Sequence, residues 1–119
     1  MAKNPKWTED ELILALDLFG DLPSGQISAK NDRVIDLSNN LNRLRSAEVV
    51  DGLKYRNPNG AALKLHNFSR FDSNRSARGM THGGKLEEVL WKRYQGKRDL
   101  LKRDAQAIYT RMTGTAQAL

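Results

Sequence analysis

Apolar residues in this 119-residue chain recur three and four positions apart in several short runs, and that spacing restricts the fold more than any other feature. Each such run turns one narrow stripe inward. With 39% apolar and 29% charged residues, the core has to be assembled from stripes of amphipathic helices and not from buried strands. The length suits one domain, expected over residues 1–112, with a frayed tail over 113–119. The expected fold is all-α, a small bundle of about five helices.

The first helix is marked by Thr8 and Glu11, the S/T-x-x-E capping box in which each side chain satisfies the other residue's free backbone N–H. Trp7 and Leu12 supply the accompanying hydrophobic staple. Leu12, Ile13, Leu16 and Phe19 follow at helical spacing, and Gly20 is read as the stop, which gives a helix over 9–19. A second helix starts after Asn31, with Val34, Leu37, Leu41 and Leu44 as its stripe, and 45–54 is read as a connection. Asn57-Pro58 opens a third over 58–71, because Asn caps well and Pro at the first helical position gives up an N–H that has no intrahelical partner. A Gly- and Ser-rich stretch over 72–84 reads as a basic loop. Two further helices are expected, over 85–94 with Leu86, Val89, Leu90 and Trp91 inside, and over 97–112 with Leu100, Leu101, Ala105, Ile108 and Met112.

Charge is unevenly distributed. Residues 1–53 carry six Lys and Arg against nine Asp and Glu, and residues 54–119 carry fourteen against five. A basic half of this kind attracts polyanions and releases counterions when phosphates are neutralised. The plainer reading is a solvated basic surface that keeps the protein soluble. There is no Cys, so neither a disulfide nor a cysteine zinc site is available, and His66 and His82 are not spaced as ligands on one helix face. No cofactor is expected. No apolar stretch reaches membrane-span length and residues 1–6 lack a secretory apolar run, so the expected location is cytoplasmic with no membrane partner.

The third helix gathers the candidate binding residues. Ala61, Leu65 and Phe68 fall on one face, Asn59, His66 and Arg70 project from the other, and Lys64 and Asn67 flank them. Amide side chains suit adenine edges and Arg suits guanine, so Asn59, Asn67 and Arg70 qualify as readers, and the capped N-terminus at Asn57 offers N–H groups to phosphate. An ordinary surface helix facing water explains the same residues. Tyr55 is the one aromatic placed for base stacking, while Trp7 and Trp91 fit core positions better. No nucleophile, base and orienting group form a recognisable catalytic set.

Four runs carry a resemblance to a known family: residues 4–19, from Asn4-Pro-Lys-Trp to Leu-Asp-Leu-Phe19; residues 34–44; residues 55–68, Tyr55-Arg-Asn-Pro-Asn-Gly-Ala-Ala-Leu-Lys-Leu-His-Asn-Phe68; and residues 83–91, Gly83-Gly-Lys-Leu-Glu-Glu-Val-Leu-Trp91. In that order, over residues 4–108, they resemble the N-terminal domain of bacterial McrA-like HNH restriction endonucleases. The resemblance implies a DNA-recognition domain, commonly for modified DNA, ahead of a nuclease domain. It implicates Arg56, Asn57, Asn59, Lys64 and Asn67, with Lys85 after the glycine pair. The Cys pairs and His cluster of an HNH centre are missing, and 45–52 does not resemble the longer, proline-containing connection of the family.

The expectation is therefore a helix-turn-helix-like, non-enzymatic module. In it Arg56, Asn57, Asn59, Lys64, His66, Asn67 and Arg70 face double-stranded DNA, and Arg75, Arg78 and Lys85 grip the backbone. Two alternatives are a phage or plasmid transcription regulator, expected as a dimer on an operator, and a protein-interaction module docking its basic half on an acidic partner.

Overall fold

The computed structural model describes residues 6–44, 57–71 and 85–113. They form a compact all-α globule of five helices: α1 (Glu9–Asp21), α2 (Asp32–Leu44), α3 (Pro58–Phe68), α4 (Lys85–Tyr94) and α5 (Arg98–Thr113). Single 3-10 turns follow α1 over Ser24–Gln26 and α3 over Ser69–Phe71. No strand occurs among the described residues. The expected tail beyond Thr113 and the connections over 45–56 and 72–84 lie outside the described residues.

Helix α1 is the axis of the molecule. Its capping box forms as expected, with Thr8 N–H donating to Glu11 Oε1 at 2.9 Å and Glu11 N–H donating to Thr8 Oγ1 at 3.2 Å. Leu12, Ile13, Leu14, Ala15, Leu16, Leu18 and Phe19 are all buried, so the apolar surface wraps most of the helix and is not confined to one stripe. A helix apolar nearly all round has to be surrounded, and α1 packs against each of the other four. Phe19 lies at the centre of an aromatic cluster, 5.9 Å from the rings of both Phe68 and Trp91, with Phe71 stacked on Trp91 at 5.9 Å.

The ends of α1 differ from the sequence expectation in an instructive way. Gly20 does not stop the helix, which continues to Asp21. The stop comes from Pro23, whose ring disfavours helical geometry in the residue before it. Leu22 is accordingly extended, with φ −116° and ψ 119°, and buries its side chain. Gly20 serves another purpose: a Cβ there would overlap the guanidinium of Arg98, which lies across this turn to reach Asp21.

The remaining helices follow their stripes closely. Val34, Leu37 and Leu41 of α2 are buried, as are Ala61, Leu65 and Phe68 of α3 and Leu101, Ala105 and Ile108 of α5. Helix α4 departs from expectation. Val89, expected inside, is 50% exposed, and Glu87 and Tyr94 join Leu90 in the interior, with Leu86 and Trp91 partly buried against the core as expected. Glu87 is drawn in because a cation on α3 meets it there. Helix α4 ends at Gly96, whose φ of 72° is the left-handed turn that glycine adopts without strain, and Lys97 N–H closes on Tyr94 O at 2.8 Å.

Candidate nucleic-acid interface

Helix α3 is opened by Asn57, whose side-chain oxygen accepts from Gly60 N–H at 2.8 Å, with Pro58 at its first position. It contains no Asp or Glu. Taking Leu63 as zero and about 100° per residue, His66 and Asn59 lie about 60° and 40° to one side, and Asn67 and Gly60 about 40° and 60° to the other. Burial agrees with this sector: Asn59, Leu63 and His66 are exposed, and Asn67 and Gly60 are half-buried. Asn67 is less available than its neighbours, since its Oδ1 is closed off from water without a hydrogen-bond donor among the described residues.

Both borders of the outward sector are fixed by side-chain contacts. On one side, His66 Nε2 lies 3.2 Å from the carbonyl oxygen of Ile27. A carbonyl only accepts, so this contact requires Nε2 to carry the proton. It fastens the turn over 27–31 beside α3, a turn closed by Asn31 N–H to Ser28 O at 3.1 Å and Lys30 N–H to Ser28 Oγ at 3.1 Å. On the other side, Lys64 leaves the sector and donates to Glu87 on α4 at 2.5 Å. The two side chains are only 17% and 9% exposed, and Lys64 Nζ also sits 5.2 Å from the centre of the Trp7 ring. Lys64 and His66 thus leave the helix in nearly opposite directions and set the turn over 27–31 and the start of α4 on opposite flanks of α3.

Lys30 in that turn and Lys85 at the start of α4 are both exposed. Lys30 and Lys85 make no ion pair with any described residue. Lys85 is the first residue of α4, where a cation meets the positive end of the helix dipole and does nothing for helix stability.

The cations of α4 and α5 are placed differently from the expectation of an open basic half. Arg93 pairs with Glu9 at 2.7 Å and Arg111 with Asp10 at 3.2 Å. Lys102 pairs with Asp17 at 3.0 Å and with Asp21 at 2.6 Å, and Arg98 also pairs with Asp21. The acidic first helix and the basic last helices, separated in the sequence, meet in space and neutralise one another. Burial pushes the Asp21 carboxyl up, but the hydrogen bond from Lys102 and the charges of Arg98, Lys102 and Arg33 outweigh it and hold the group below its ordinary value. The hydrogen bond to Asp21 in turn raises Lys102. Burial and the hydrogen bond it donates to Asp104 at 2.6 Å raise the Tyr94 hydroxyl.

Of the site residues read from the sequence, Asn57 caps α3, Asn59, His66 and Asn67 lie in its outward sector, and Lys85 is exposed at the start of α4, two residues before Glu87. Lys64 belongs to the interior contact with Glu87. Arg56, Arg75, Arg78 and Tyr55 lie outside the described residues, as does the side chain of Arg70. The sequence reading passed over Leu63 and Lys30. Leu63 was within reach, since the same angular count that separates Ala61 and Leu65 from Asn59 puts it at the centre of the polar sector. Helices α2 and α3 pack together, but residues 45–57 lie between them, more than the three or four of a helix-turn-helix turn. Among the described residues no group of His, Cys, Asp and Glu is placed to hold a metal ion, and no helix is long and apolar enough to cross a membrane.

No family model, no curated protein and no solved structure matches the chain.

Proposed function

We propose that the protein is a DNA-binding module that lays the outward sector of α3 in the major groove of a duplex and has no catalytic role of its own. The observation that carries this reading is a carboxylate-free helix face bearing Asn59, His66 and a half-buried Asn67, with exposed Lys30 and Lys85, neither in an ion pair among the described residues, on the turn and the helix that hold its two borders. A helix of this diameter fits the major groove, amide and imidazole groups match the donors and acceptors of base edges, and cations on the bordering elements suit the phosphate backbone. The resemblance of residues 4–108 to the N-terminal domain of McrA-like HNH endonucleases supports the same reading and adds modified DNA to the candidate ligands. In sequence, Arg56 immediately precedes the cap of α3, and Arg75 and Arg78 fall between α3 and α4. Lys64 is not among the contact residues, because its charge is matched by Glu87.

Fluorescence anisotropy of a labelled duplex across a salt series tests the proposal. Affinity should fall steeply with salt, and Lys30→Ala and Lys85→Ala should each lower the slope of log K against log salt by about one. Absence of duplex binding at low salt, or slopes unmoved by either substitution, would overturn it.

A further inference from the structure

Leu63 is 56% exposed at the centre of the α3 sector, between Asn59 one turn earlier and His66 one turn later. A lone exposed leucine on a protein surface is commonplace, and Val89 on α4 is another. What distinguishes Leu63 is its setting. It is the one large apolar side chain on a ridge otherwise made of amide, imidazole and glycine, its two borders are pinned by Lys64–Glu87 and His66–Ile27, and no described element covers it. The absence of any carboxylate on α3, with Lys30 and Lys85 exposed and without an ion pair among the described residues, favours a polyanion as the occupant of this ridge. On the major-groove edge of a duplex the apolar feature is the C5-methyl group of a pyrimidine; every other exposed edge atom there is a hydrogen-bonding group or a bare ring carbon.

Resting on the DNA-binding reading, we infer that Leu63 is a specificity-determining residue that packs on a pyrimidine C5-methyl group, with Asn59 on the same ridge reading the edge of a neighbouring purine. Thymine and 5-methylcytosine present the same methyl group. Gly60, about 60° from Leu63, keeps that side of the ridge free of a side chain, and its nearest neighbour to an added Cβ would be the Asn57 cap at 3.3 Å.

The test is a selection of duplexes bound by the intact protein from two random-sequence pools, one made with thymine and cytosine and the other with uracil and 5-methylcytosine. The selected duplexes are then resynthesised with single C5-methyl groups removed, thymine to uracil in the first case and 5-methylcytosine to cytosine in the second. At one position, loss of the methyl should weaken wild-type binding about fourfold, the factor for one methyl-sized group returned to water. Leu63→Ala, at an exposed position that leaves folding intact, should bind both forms equally. The pool that yields the methyl-dependent site identifies the base. Duplexes bound with no methyl-dependent position, or a dependence retained in Leu63→Ala, would overturn the inference and leave the DNA-binding reading standing. Failure to select any duplex from either pool would sink both and make Leu63 a protein-docking residue.

Discussion

Lys64 on α3 meets Glu87 on α4 across 23 residues of sequence, with both charged groups largely withdrawn from water beneath the Trp7 ring. The pair sets the position of α4's first turn against α3. Breaking such a pair from one side strands the other charge, which costs far more than the intact pair contributes. Lys64→Met and Glu87→Leu should each lower stability by about 3 kcal/mol. The double variant should recover most of that loss, because two apolar side chains leave no uncompensated charge. Urea denaturation of all four proteins measures the coupling, and additive losses would show that the two side chains act independently.

Gly20 and Arg98 form a second cross-chain relationship, in which a missing side chain makes room for a guanidinium. In Gly20→Ala the new methyl displaces the flexible end of Arg98 from Asp21. The ion pair is exposed and contributes about 0–1 kcal/mol, whereas alanine favours a helix over glycine by about 1 kcal/mol. The two effects nearly cancel, so the melting temperature should barely move. The carboxyl of Asp21, having lost one of its cations, should titrate nearer to its ordinary value, a shift that side-chain carbon NMR reads directly.

The acid limb of the stability curve should bear the mark of Asp21. Its folded-state pKa lies below the ordinary value, so its contribution is fully present above the unfolded value near 3.9 and is lost as pH falls through the lower, folded one. Asp21→Asn should flatten that decline in urea midpoints measured across the acid range. The opposite limb belongs to Lys102, Tyr94 and Tyr109, all raised. Their contributions are complete below the unfolded values, about 10.4 for Lys and 10 for Tyr, and fade as pH rises through the folded ones. Lys102→Met should therefore reduce the alkaline loss.

Paired and unpaired cations should separate in DNA binding. Arg111 is already matched by Asp10, so Arg111→Ala should leave the salt slope of duplex binding where it was, in contrast to Lys85→Ala. Asn59→Ala should cost about 1–3 kcal/mol at its preferred base pair while leaving thermal stability unchanged. Anisotropy on matched and single-substituted duplexes distinguishes the two behaviours, and an Arg111→Ala slope that falls with that of Lys85→Ala would show that the ion pair opens for phosphate.

Features governed by near neighbours in sequence were legible before any coordinates. The Thr8–Glu11 box, the Asn57-Pro58 start and the limits of α4 each depend on residues within one turn of each other, and each stands where expected. The apolar stripes of α2, α3 and α5 were legible for the same reason. Pairings across long separations were not. Nothing near Lys64 in sequence names Glu87, and nothing in the basic residues 93–111 announces that Glu9, Asp10, Asp17 and Asp21 would meet them, so a charge imbalance that read as an open surface is in part an internal neutralisation. Gly20 misled because glycine both ends helices and admits close neighbours, and only the position of Arg98 tells the two uses apart.

The central place of α1 has a consequence for how the molecule comes into being. Helix α1 emerges before the four helices that enclose it, and its contacts with Arg93 and Arg111 join residues 84 and 101 positions apart. A nascent chain leaving the ribosome therefore displays an apolar rod with no complete sheath until α5 has emerged. Closure of this globule has to await α5, which makes its assembly a late, concerted event and not a stepwise one.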